Sequence, residues 1–389
     1  MHLPAPRWTA TPAGRALLGA LDAEQGTTRL VGGAVRDALL GYASADIDLA
    51  TQLPPTEVIA RLEAAGLKAV PTGLAHGTVT AVGAGLVAEV TTLRRDIATD
   101  GRHAQVAFTN DWQADASRRD FTINALYATL PGGDLTDFFE GRADLAARRV
   151  RFIGDPLQRI AEDHLRILRF FRFSARFART IDAAGLAACA ERANDLMALS
   201  RERIATELRG LLAVPDPLPV LAVMFDRCIW APVLPEFDSA RLPVLGQTIT
   251  AEASLKLRPA WQRRLAALLP GDAAAAVAAR LRLSNADRAR IVAASLPETE
   301  PRGEMLWRDG AQAVADRLLI AGDVTGATAA LGWQRPQLPA SGRDIIARGV
   351  APGREVAARL GAFERAWVAA GFPDTPAAVR ALLDAAVRN

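Results

Sequence analysis

Leu30-Val31-Gly32-Gly33-Ala34-Val35-Arg36-Asp37, with Asp46-Ile47-Asp48-Leu49 close behind it, is the stretch from which the rest of the chain is read. A short β-branched run that ends on two glycines and passes into apolar residues at helical spacing predicts a strand, a turn and a helix. Such a turn leaves backbone N–H groups able to approach an anion, and Arg36 follows one turn into the helix. Asp46 and Asp48 are separated by one residue on a second predicted strand, so their carboxylates share a face and can hold hard divalent cations. Alone, a glycine pair reads as a plain turn and an Asp-x-Asp as a solvated strand edge. In succession they read as a phosphate cradle beside a metal site. Mg2+ held there by Asp46 and Asp48 could activate an attacking hydroxyl and stabilise a leaving pyrophosphate, which is the chemistry of nucleotidyl transfer.

This pattern resembles the polymerase-β-like nucleotidyltransferase superfamily, and within it the class II tRNA nucleotidyltransferase and poly(A) polymerase family. The resemblance continues at Arg118-Arg119-Asp120-Phe121-Thr122-Ile123-Asn124-Ala125-Leu126, at Glu162-Asp163-His164-Leu165-Arg166 and at Ser200-Arg201-Glu202-Arg203, and covers residues 29 to about 210. It implies that Asp120 contacts the ribose 2′-hydroxyl, with Arg119 and Asn124 near the triphosphate. A carboxylate can accept that hydroxyl's hydrogen and an arginine can clamp phosphate, so the residue chemistry agrees.

The third segment resembles the family's amino-acid template for the base. Read as opening one long helix, it sets Asp163 and Arg166 three apart on a shared face, an acceptor beside a donor. Cytosine and adenine both offer an amino donor next to an acceptor nitrogen, whereas guanine and uracil reverse the order. The pair can therefore take C and A and leave polar groups unpaired against G and U. Arg169, Arg172 and Arg176 continue the stripe toward the triphosphate or the RNA end, with a solvated basic face as the alternative. Phe170, Phe171, Phe173 and Phe177 suit the buried side. Ser200 is a plausible N-cap for a bracing helix that carries Arg203 and Glu207.

Working outward, Arg29–Val31, Ile47–Ala50, Thr78–Val82 and Leu86–Thr91 read as strands, and 150–153 as a last possible one. Helical spacing runs over Gly33–Leu40, Pro55–Ala65 and Ala161–Phe177. The polar stretch from Thr92 to Ala104 reads as a mobile loop that resembles the element CCA-adding members of the family need for the final A, with a plain hairpin connector as the alternative. Glu89, just before it, is a possible third carboxylate facing the metals. Past Asp155 the chain reads almost wholly helical. The expected fold is α+β: a polymerase-β-like head with a mixed sheet over 1–140, a helical neck over 141–214, and a helical body and tail over 215–389 that holds tRNA.

Composition limits the alternatives. Half of the 389 residues are hydrophobic, so disorder is excluded, and 46 Lys+Arg against 43 Asp+Glu leave a net charge of only +3, which announces no partner. Only Lys68 and Lys256 are lysines. Arginine dominance is mostly a genomic bias, but its planar fork suits phosphates. Two isolated cysteines and four histidines argue against a disulfide framework, a zinc site or a His-Asp phosphohydrolase domain within this chain. No signal-like or membrane-length segment is seen, and a cytoplasmic location is expected. The resemblance implies CCA addition, with tRNA, CTP and ATP as partners, Mg2+ as cofactor, and neither DNA nor membrane involved. A poly(A) polymerase, an enzyme adding only CC or only A, and a non-catalytic RNA-binding module are the alternatives.

Overall fold

The computed structural model describes residues 2–42, 46–99 and 104–388. Among the described residues nine strands occur in chain order: β1 Thr28–Val31, β2 Ile47–Thr51, β3 Lys68–Gly73, β4 Thr78–Gly83, β5 Leu86–Thr92, β6 Arg94–Thr99, β7 Ala104–Phe108, β8 Leu126–Thr129 and β9 Leu135–Asp137. Seven form one mixed sheet in the order β3-β4-β5-β2-β1-β8-β9. β2 is its pivot, antiparallel to β1 and parallel to β5.

Alternation explains how that sheet is covered. In β5, Leu86, Ala88, Val90 and Thr92 are buried while Val87 and Glu89 are exposed, a period of two that gives one face to the core. The helices Pro12–Ala20 and Pro55–Ala64 lay Leu17, Val58 and Leu62 on that face, against Val79, Ala81, Ala88 and Val90. Each fully buried Leu or Val there contributes roughly 1.5–3 kcal/mol. Val31, Ala50, Leu93 and Tyr127 form a smaller cluster with Trp112 and Phe138. Asp48 shares a strand face with Ala50, two residues on, whereas Leu49 points into the larger core.

Three sequence expectations change. The stretch after Thr92 is largely strand, because β6 and β7 pair antiparallel; Asp100, Gly101, Arg102 and His103 lie outside the described residues. Residues 150–153 form no strand, only a bridge between Phe121 and Phe152. Ala161–Phe177 is two helices, Pro156–Glu162 and Arg166–Phe177. The break has a local cause: Asp163 is extended (φ −152°, ψ 106°), and its Oδ1 accepts the Leu165 N–H at 3.1 Å, so a side chain replaces the helical ladder there.

By contact density the chain divides into two units, one of residues 1–211 and 219–233, the other of residues 212–218 and 234–389. The first holds the sheet and the helix Arg166–Phe177. There Phe170 and Phe171 are fully buried, and Phe121, Phe152, Phe170 and Phe173 pack ring to ring at 5.0–6.2 Å.

The second unit is helical, with apolar clusters around Leu318 and around Phe363 and Trp367. Its centre also holds charge. Arg263 bonds Glu252 at 2.8 Å and Asp316 at 2.9 Å, Arg264 bonds Glu252 at 2.9 Å, and Arg290 bonds Asp316 at 2.6 Å. Arg264 also donates to the carbonyl of Leu212 at 2.9 Å. A buried network of this kind is tolerable because its members are paired.

Candidate nucleotide site

A cavity of about 720 Å3 in the first unit lies between the glycine turn, β2 and the start of the helix Arg166–Phe177. Gly32 has φ +66°, and a Cβ there would sit 3.3 Å from Arg119 Nη1 and 3.5 Å from the Asn124 carbonyl. The positive φ is what favours glycine here. The helix that follows delivers Arg36, 6% exposed. Its Nη1 donates to Asn124 Oδ1 at 2.6 Å and its Nε to Asp37 at 2.8 Å, while the Phe177 ring lies 4.3 Å under the guanidinium.

Asp46 stands just before β2 and Asp48 within it, and Glu89 on β5 is the register partner of Asp48. Burial, then the Glu89 and Asp46 charges, raise the Asp48 carboxyl above the usual carboxylate range. A divalent cation would relieve that repulsion. The donor set therefore fits Mg2+, which takes one or two carboxylates and completes its shell with phosphate and water oxygens. Among the described residues no three His, Cys, Asp or Glu side chains cluster closely enough to hold an ion unaided.

Asp120 is 8% exposed. Burial alone would raise it, but Arg169 at 2.7 Å, Asn124 at 3.0 Å and the Phe121 N–H hold its carboxyl down at about 2. Arg169 also lies 3.7 Å from Glu207, and Arg172 bonds the same carboxylate at 2.5 Å. At the far wall both Asp163 oxygens accept from Arg203 Nη2, at 3.0 and 2.8 Å. Arg166 is fixed separately: its Nη1 donates to Glu162 at 2.7 Å and to the Arg159 carbonyl at 2.8 Å, and its Nη2 to the Arg118 carbonyl at 3.0 Å. The two face one cavity from a turn and a helix start, not from one helical face as the spacing suggests.

Residues 28–151 match the family described as Poly A polymerase head domain, and residues 180–241 the one described as Probable RNA and SrmB- binding site of polymerase A. The chain is 35% identical over 367 residues to the human CCA tRNA nucleotidyltransferase 1, mitochondrial, covering 88% of this chain and 83% of that one. It is 32% identical to the CCA-adding enzyme of Levilactobacillus brevis, across 91% of this chain and 93% of the relative. The chain belongs to the CCA-adding tRNA nucleotidyltransferases. Its fold agrees: the crystal structure of the Bacillus stearothermophilus CCA-adding enzyme in complex with CTP superposes with a TM-score of 0.74 at 26% identity, covering 96% of this chain and 98% of that one.

In this CCA-adding family member Gly32, Gly33, Arg36, Asp46, Asp48, Arg119, Asp120, Asn124, Asp163, Arg166 and Arg169, each singled out from sequence, line the one cavity, whereas Glu89 and Arg176 are not in its lining. Arg94, Arg118, Arg172 and Phe173 join them. Sequence reasoning missed Asp115, which is 1% exposed. It bonds Arg118 at 2.8 Å, Arg119 at 3.1 Å, the Tyr127 hydroxyl at 2.8 Å and the Arg94 N–H at 3.2 Å. Its signal was an acidic residue three and four positions before the two arginines of the Arg-Arg-Asp segment.

Burial opposes the Asp115 charge, but Arg119, Arg118 and Tyr127 outweigh it and hold the carboxyl at about 2. A carboxyl depressed on folding adds stability that is present above its unfolded value near 4 and is lost as pH falls toward the folded one. Asp115→Asn should therefore destabilise the protein by about 3–5 kcal/mol at neutral pH, the range for removing one buried ion partner. The gap to wild type should narrow below about pH 4. Urea unfolding at pH 7 and pH 3.5 checks both; an equal gap at the two values would show that Asp115 does not act through its charge.

Proposed function

We propose that this enzyme builds or repairs the 3′-terminal CCA of tRNA, using CTP and ATP and no nucleic-acid template. The observation that carries the reading is the convergence of a cradle, two acidic side chains and a base-sized acceptor and donor pair on one cavity of about 720 Å3. Gly32, Gly33 and Arg36 would take the triphosphate, and Asp120 and Asn124 would meet the ribose and phosphates. Asp46 and Asp48 would hold Mg2+, which supplies Lewis-acid activation of the hydroxyl and charge neutralisation of the phosphates. The RNA 3′-hydroxyl attacks the α-phosphorus in line, the new phosphodiester forms, and the bond to the β-phosphate breaks to release pyrophosphate.

Base choice falls to Asp163 and Arg166. The Arg203 contact orients Asp163, and a carboxylate oxygen has a lone pair left for the base's amino group. Arg166, pinned by two carbonyls and Glu162, presents its guanidinium without first being ordered. U and G would leave both groups facing like partners.

The reading also places the enzyme in the cytoplasm, a reducing compartment that suits the free thiols of buried Cys189 and exposed Cys228. No helix among the described residues is long and apolar enough to cross a membrane. The domain plan of a head over 1–140, a neck over 141–214 and a tRNA-holding body over 215–389 remains part of the proposal.

The test is to incubate tRNA transcripts that end before CCA with CTP, ATP or both and to resolve the products by length. Three added residues that require both nucleotides are expected. Products that stop at CC, a single A on CC-ended tRNA alone, or long A tails would overturn CCA addition in favour of one of the narrower activities or a poly(A) polymerase.

A further inference from the structure

Beyond the nucleotide cavity, on the Glu89 side of Asp48, lies a second space of about 240 Å3, bounded by Thr78, Glu89, Thr91 and Arg94. Gly32, Gly33, Asp48, Arg94, Arg118 and Arg119 line both spaces. Asp163, Arg166 and Arg36 line only the larger one. The two therefore share the glycine turn, Asp48 and the three arginines, while Arg36 and the base-reading pair Asp163 and Arg166 lie on the larger side only.

Arg94 is the side chain in this second space that the reading above leaves without a task. It begins β6, and Asp115 takes its backbone N–H, not its guanidinium. Its Nη1 donates to the His76 carbonyl. Its Nε is buried and has no hydrogen-bond partner. Arg118 and Arg119 stand nearby, and the Asp115 carboxylate is already committed to them and to Tyr127. Burial, then the Arg118 charge, bring the Arg94 guanidinium down to about 10, with Asp96 and Asp115 opposing only in part. A buried donor without an acceptor, inside a cluster of cations, is arranged for an anion that arrives from outside.

We propose that Arg94 is a phosphate ligand for the RNA substrate, holding a backbone phosphate next to the 3′-terminal nucleotide in the space beside Glu89. The inference rests on the function proposed above, because in-line transfer places the attacking hydroxyl and the departing pyrophosphate on opposite sides of the α-phosphorus. With Arg36 on the triphosphate side of Asp48, the side next to Glu89 and Arg94 is left for the RNA end. A phosphate of the incoming nucleotide has the same chemistry, so the experiment separates the two sources.

Arg94→Ala and Arg94→Lys are compared with the wild-type chain in three measurements: anisotropy of a labelled tRNA minihelix that ends before CCA, at several salt concentrations; KM for CTP; and the thermal midpoint. Arg94→Ala should weaken minihelix binding about tenfold and reduce the slope of log affinity against log salt by about 0.7–0.9, one phosphate's share. KM for CTP should stay within about twofold, and Arg94→Lys should recover part of the binding, since it keeps the charge but not the fork. A raised KM for CTP with unchanged RNA binding would assign Arg94 to the triphosphate and overturn the proposal. So would a lowered thermal midpoint with an unchanged salt slope, which would mean that Arg94 only ties β6 to His76. The anisotropy arm needs no turnover. A wild-type chain that binds the minihelix but adds no nucleotide would count against the proposed function and leave the Arg94 comparison readable.

Discussion

Asp48→Ala is expected to cut nucleotide addition by about 10³-fold or more while tRNA binding changes little. Asp48 sits within β2, a pivot strand whose neighbours fix it on both sides, and its side chain lines both the nucleotide cavity and the space beside Glu89. Its carboxyl already bears the repulsion of Glu89 and Asp46, so in the proposed reaction its charge serves the Mg2+ ion more than the fold. Removing it should leave the protein at least as stable and nearly unable to turn over. Single-turnover addition of C to a tRNA ending before CCA, beside filter binding of the same tRNA, reads the two effects apart. A rate within tenfold of wild type would refute the metal-holding role.

The second large effect is on base choice. Asp163→Ala should raise misincorporation of UTP or GTP relative to CTP by about 10²-fold or more, because the site then no longer leaves an unpaired polar group facing the wrong base. KM for CTP should rise far less, since the proposed reading puts Asp163 at the base and gives the triphosphate to Gly32, Gly33 and Arg36. Arg203→Ala should move fidelity in the same direction by a smaller factor, because Arg203 bonds both Asp163 oxygens and so acts through it. The readout is sequencing of the added residues with each nucleotide offered alone. An equal rise in KM for all four nucleotides, with unchanged selectivity, would make Asp163 a general binding group instead.

Much of this site was legible because its residues report themselves locally. A glycine that must take φ +66°, an Asp-x-Asp at a strand start and an Arg-Arg-Asp segment each carry a pattern within a few positions. The strands β1, β2, β4 and β5 were readable from β-branched alternation, whereas Lys68–Gly73, with its proline and polar residues, sits at the sheet edge and shows little alternation. What stayed hidden was whatever depends on side-chain competition or distance along the chain. Asp163 ends a helix by capping Leu165, a choice that helical periodicity does not register. Asp115 gains its meaning from Tyr127, on a strand twelve residues away. A helical body expected to hold tRNA should show its arginines to solvent, but Arg263 and Arg264 are 2% and 1% exposed and serve its interior; residue type alone does not separate a buried guanidinium from an exposed one.

Arg36 illustrates what such prior fixation does for binding. A free arginine carries about 2 kcal/mol of rotamer entropy, and freezing such a side chain on association costs about 0.5–1.5 kcal/mol. Here Phe177, Asn124 and Asp37 already hold the guanidinium that is proposed to take the triphosphate, so that cost was met when the chain folded. A calorimetric titration with a non-reactive nucleotide should accordingly show a smaller entropic penalty for wild type than for Phe177→Ala, in which the same charge reaches the same phosphates from a mobile side chain.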